Sequence, residues 1–146
     1  MDVLRMVKED SDKINKDKII EELYWSSLNS ISKEEMQSIV KPFLMESTTI
    51  NEYSAIQKLY SNPEGAHIDF FEEIIISLYK RDPFTFIRAV NENPDEGMNV
   101  LYIFRNKAFF VQAEKSKQEL LDKTNDSQIK EMIDTFFRYY DTICST

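Results

Sequence analysis

A chain of 146 residues, 42% hydrophobic and 12% aromatic, is long enough to form one domain with a substantial core. Only 2 glycines and 4 prolines are present, too few for a chemistry or fold built on phosphate-cradling loops, tight hairpins and bulges, so helices are the economical solution. Eighteen basic against 26 acidic side chains leave a net charge of −8, spread over both halves, which disfavours nucleic acid and anionic membranes and suits a basic protein partner.

Residues 1–17 are highly charged and read as a frayed or partner-dependent segment ahead of a single α-helical domain over 18–146. They hold no secretory apolar region, and no apolar run is long enough to predict membrane insertion. As it stands the chain reads as cytoplasmic; a mature exported domain would read the same. Trp25 lies on a modest helix, where it fits either a core position or an exposed anchor.

Helix-start grammar then recurs. Ser32 with Glu35 predicts a cap ahead of Met36, Ile39, Val40 and Phe43, with Pro42 weakening the helix end. Thr49 with Glu52 predicts another start, carrying Tyr53, Ile56, Leu59 and Tyr60. Residues 61–67 read as a loop. Asp69 is expected to cap the next helix and Glu72 to complete its capping box. Phe70, Ile74 and Leu78, with Phe71, Ile75 and Tyr79, form two rows at helical spacing, so this helix is apolar nearly all round and central.

Asp82-Pro83 interrupts the apolar stretch. It predicts a tight corner: aspartate as N-cap, proline at the first helical position, then Phe84, Ile87 and Val90 at helical spacing. Asn93-Pro94 repeats the signal. Residues 99–112 carry two strand-friendly runs around Arg105-Asn106-Lys107, a pattern that a β-hairpin would share. No third strand would support such a hairpin, which favours two helices meeting near Asn106. Asp126 or Ser127 caps a last helix with Ile129, Met132, Ile133, Phe136, Phe137 and Tyr140.

The sum is an all-α domain of seven or eight short helices packed as antiparallel pairs, either an irregular bundle or an α-solenoid-like array. Tyr24, Tyr60, Tyr102 and Tyr140 recur at intervals of roughly 40 residues, the length of a helix pair in HEAT- or armadillo-type repeats. All aromatics but Tyr24, Trp25, Phe43 and Tyr53 lie at residue 60 or later, which places the core there.

Catalytic apparatus is sparse. There is one histidine, His67, and one cysteine, Cys144, with no nucleophile elbow, Walker-type loop, Cys-x-x-Cys or His-Glu-x-x-His. His67, Asp69, Glu72 and Glu73 could gather a divalent ion, but each acid already has a role at a helix start, and no metal or cofactor is assigned. Residues 91–97 resemble a calcium loop by composition; Glu96 stands where the turn needs glycine and Tyr102 where the bidentate acid belongs. The expectation is a non-enzymatic protein-interaction module, such as an acidic inhibitor or immunity-type protein, with a helical-groove receptor for a peptide or small anionic ligand as the alternative. The binding residues expected are Arg81, Arg88 and Arg105 with Phe84 and Phe86, because arginine beside aromatics is an interface composition.

Overall fold

The computed structural model describes residues 16–23, 28, 30–60 and 68–145. Trp25, His67, Tyr24 and residues 1–15 lie outside them, so the readings placed on those positions have no structural counterpart here. Eight helices and no strand are seen among the described residues. They are α1 (Lys16–Glu22), α2, α3 (Ile50–Tyr60), α4 (Ile68–Arg81), α5 (Pro83–Glu92), α6 (Pro94–Asn106), α7 (Ala113–Leu121) and α8 (Ser127–Cys144). α2 is continuous but composite: α-helical Lys33–Glu35, a π turn at Met36–Val40, and α-helical Lys41–Met45.

The composite helix shows how Pro42, expected to weaken the helix end, is accommodated. Proline has no N–H and crowds the carbonyl four residues back. The chain widens one turn ahead of it, where the Lys41 N–H reaches the Met36 carbonyl, and the helix then continues through Pro42 to Met45. Ser32 opens α2 by accepting the Glu35 amide at 3.1 Å. Before α3, Thr49 and Glu52 exchange bonds in both directions, Glu52 N–H to Thr49 Oγ1 at 3.1 Å and Thr49 N–H to Glu52 Oε1 at 3.4 Å. That reciprocity is a capping box.

The α4–α5 corner is a single residue. The Asp82 N–H closes the last turn of α4 on Leu78, and the Asp82 carbonyl accepts the first bond of α5 from Phe86. Its carboxylate accepts Thr85 N–H at 3.2 Å and the Thr85 hydroxyl at 2.6 Å. Asn93 repeats the device between α5 and α6, closing on Ala89 and accepting from Gly97. The backbones agree closely, φ −148 and ψ 81 at Asp82 against φ −133 and ψ 69 at Asn93. The Asn93 side chain accepts no amide of α6; its Nδ2 donates to Ser54 on α3 at 3.1 Å and to the Ala89 carbonyl at the end of α5 at 3.4 Å. α5 and α6 converge so closely after this corner that a Cβ on Gly97 would sit 2.7 Å from Val90 Cγ1 and 2.9 Å from Val90 Cα, which only glycine avoids.

Two start signals read differently in space. Asp69 lies inside the first turn of α4, which begins at Ile68, and Glu72 pairs with Lys107 at 3.7 Å rather than closing a box. The strand-friendly run at 99–112 is helix until Asn106, then stops in a Schellman motif. Ala108 takes a left-handed φ of 49; its N–H reaches Arg105, and the Phe109 N–H reaches Phe104. The second helix begins only at Ala113, so the two do not meet at Asn106.

α5 is the hub of the packing, touching α3, α4, α6 and α8. Phe86, Ile87, Ala89 and Val90 on it are fully buried. Tyr79 of α4 makes ring contacts with Phe86, Phe104, Phe109, Phe110 and Phe136, the last stacked and the others edge-on. Edge-to-face pairs of this kind add about 0.5–1.5 kcal/mol each beyond area burial. Buried polar groups tie the layers: Gln57 Nε2 donates to the Phe86 carbonyl at 3.2 Å, and Tyr53 to the Leu78 carbonyl at 3.3 Å. The tyrosine recurrence does not mark equivalent positions, since Tyr60 and Tyr140 are buried while Tyr102 is exposed. Lys16, at the edge of the segment expected to fray, is buried in α1 with its ammonium 4.8 Å from the Phe43 ring centroid. No helix among the described residues is long and apolar enough to cross a membrane.

Candidate docking cleft

The five residues expected to bind do not form one surface. Phe86 is fully buried in the aromatic core. On a helix, residues two apart point to nearly opposite sides, so Phe84 and Phe86 cannot share a face. The Arg81 guanidinium forks onto the carbonyls of Met45 and Ser47 at the end of α2. Arg105 lies over the Tyr102 ring at 4.7 Å, donates to Asn106 Oδ1, and reaches the Ile143 carbonyl in the last turn of α8 at 3.4 Å. Both arginines therefore donate to carbonyls at or just beyond helix C-termini, with charge of the sign the dipole favours.

Phe84 and Arg88 remain. They are one turn apart on α5 and do share a face. That face borders a cleft of about 240 Å³ between α5, the start of α3 and the start of α8. Ile87 and Ile133, both fully buried, form its floor. Ile50, Phe84, Ile129 and Met132, all half-buried, form its walls. Ile129, Met132 and Ile133 stand at i, i+3 and i+4, so the capped start of α8 presents them together. Asn91 pins the base, its Nδ2 donating at 3.0 Å to the carbonyls of both Ile87 and Met132.

The rim is polar and mostly committed. Asp126 accepts the Gln128 and Ile129 amides at 2.8 and 3.2 Å as the N-cap of α8. Thr85 is bound to Asp82. Arg88 meets Glu92 at 3.6 Å with both side chains about half exposed (54% and 46%), a pair worth at most about 1 kcal/mol and easily rearranged. The cleft is thus an apolar slot with one loosely held cation at its lip. Sequence reasoning named Phe84 and Arg88 but did not single out Ile50, Ile129 or Met132 for binding. Their helical spacing was visible; that the three helices converge was not.

Two of the three acids of the metal reading are engaged in ion pairs. Glu73 meets Lys41 of α2, and Glu72 meets Lys107 after α6. No group of three metal-ligating side chains gathers among the described residues. Several tyrosines are perturbed. Burial pushes the Tyr60 phenol up to about 12, with nearby Glu72 acting in the same direction, and pushes Tyr79 higher still. Compared with models of known protein families, with curated proteins and with solved structures, the chain has no significant match.

Proposed function

We propose that this protein is a non-enzymatic interaction module, an acidic inhibitor or immunity-type protein, whose α3–α5–α8 cleft takes one apolar anchor side chain of a basic partner protein. The observation that carries the reading is the half-buried apolar wall of Phe84, Ile129 and Met132 beside the weakly held Arg88. The cleft's 240 Å³ is below the range of about 300–1,000 Å³ that small-molecule sites occupy, and suits a single inserted side chain. Fully burying one such side chain contributes about 1.5–3 kcal/mol, the scale of an interface hot spot. The net charge of −8 supplies attraction to a basic surface at longer range and favours fast encounter. Because Arg81 and Arg105 already serve helix ends, an anion receptor built on the three arginines has less support.

Quantitative affinity capture tests this, with the protein and its Met132→Glu variant as baits in host extract. The reading expects a basic protein retained by the parent and lost from the variant, whose circular dichroism and Tm stay unchanged. Retention of the same proteins by both baits, or capture of no basic protein at all, would overturn it.

A further inference from the structure

Away from the docking cleft, the last turn of α4, the start of α5, Phe109-Phe110 and α7 frame a second recess of about 260 Å³. Its apolar side is Pro83, Phe109, Phe110 and Leu120, and its polar side is Lys80, Ser116, Glu119 and Lys123. Tyr79 also lines it, although only 7% exposed. The Tyr53 hydroxyl donates to the Leu78 carbonyl. The Tyr79 hydroxyl, by contrast, makes no hydrogen bond to any described residue. Like any tyrosine this phenol is protonated in the physiological range, and burial raises its pKa further, so it is a neutral donor. The Lys80 ammonium sits 5.7 Å from the Phe109 ring centroid, which places a cation over the aromatic wall.

Each feature constrains what fits. Aromatic walls need an apolar body to cover them. A phenol without a partner and two lysines call for an acceptor bearing negative charge. Glu119 cancels one of the two cations, so the recess matches a single negative charge better than a dianion such as phosphate. We propose that this recess binds a small monocarboxylate with an apolar body, the carboxylate accepting the Tyr79 O–H between Lys80 and Lys123 and the body lying against Phe109, Phe110 and Leu120. The proposal is independent of the partner-protein reading, because the recess shares no lining residue with the cleft and takes a different ligand.

Phenylacetate is a suitable probe, with phenylacetamide as its neutral counterpart and inorganic phosphate as the bare anion. Each would be titrated into the full chain while amide chemical shifts are followed by NMR. Phenylacetate is expected to move the amides of Lys80, Phe109, Phe110, Ser116 and Leu120, and to bind at least about tenfold more tightly than either control. Tyr79→Phe, which keeps the ring, is expected to weaken binding by about tenfold, as befits one hydrogen bond to a charged group. Lys123→Gln, at an exposed position, is expected to weaken it severalfold. Equal binding of phenylacetamide, shifts that map to the α3–α5–α8 cleft, no response to phenylacetate, or unchanged affinity in Tyr79→Phe would each overturn the proposal.

Discussion

Ala108→Gly is expected to stabilise the protein. Ala108 holds a φ of 49 at the position after the α6 C-cap, where a Schellman motif ordinarily places glycine. A left-handed conformation costs an L-residue about 1–2 kcal/mol. Glycine removes that cost but loses about 0.4–1 kcal/mol through the greater freedom of its unfolded chain. Taken at the middle of each range, the difference is a net gain of about 0.8 kcal/mol, which for a chain of this size raises Tm by about 2–3 °C. Alanine is tolerated because the motif is held from both sides. Phe109 docks its ring 5.2 Å from Phe104, the hydrophobic contact that accompanies this helix end. The assay is urea unfolding followed by far-ultraviolet circular dichroism, with Ala108→Val as the opposite control. Valine, branched at Cβ, should cost more than glycine gains. A neutral or destabilising Ala108→Gly, or a tolerated Ala108→Val, would refute the assignment of residue 108 to a left-handed cap.

Asp82→Ala should cost about 0.5–2 kcal/mol, because both its bonds to Thr85 disappear from the start of α5, whereas Pro83→Ala should cost little; urea midpoints compare the two, and equal negligible losses would mean that Asp82 caps nothing. Stability should also fall at alkaline pH. Tyr60 and Tyr79 stay protonated in the folded state while the unfolded chain releases those protons above 10.0, so the unfolded state binds fewer protons and is favoured as pH rises toward about 12. Each tyrosine contributes a slope of up to about 1.4 kcal/mol per pH unit, and a pH series of urea midpoints should therefore decline less steeply in Tyr79→Phe than in the parent.

Local chemistry made much of this fold legible. Asp82-Pro83, Thr49 with Glu52, and Asp126 act where their sequence patterns place them, because a cap needs only a side chain and the amides two or three residues on. What stayed hidden depends on partners far along the chain. Arg81 looked like a binding residue because its task, two carbonyls more than thirty residues away, exists only after α2 and α4 pack. Phe109 and Phe110 looked strand-like because bulky aromatics serve a buried turn as well as a strand, and the left-handed residue before them is alanine rather than the glycine that would have announced the helix end. Of the docking cleft, the Phe84–Arg88 face was readable from spacing, and the same spacing already excluded Phe86. The opposing wall comes from α3 and α8, whose approach no local pattern encodes.

The order of helix contacts bears on how the chain assembles. The well-developed interfaces among the described helices join elements no more than three steps apart, as in α1 with α3, α3 with α6, and α5 with α8. Such locality keeps loop-closure costs low and favours fast folding. During synthesis, α3 to α6 can therefore associate as soon as they emerge, but the aromatic cluster stays open on one side. Phe110 meets Phe136, Phe137 and Tyr140 only when α8 arrives. Until then the nascent chain displays an uncovered phenylalanine surface, and the last helix acts as the lid that removes the hazard of self-association.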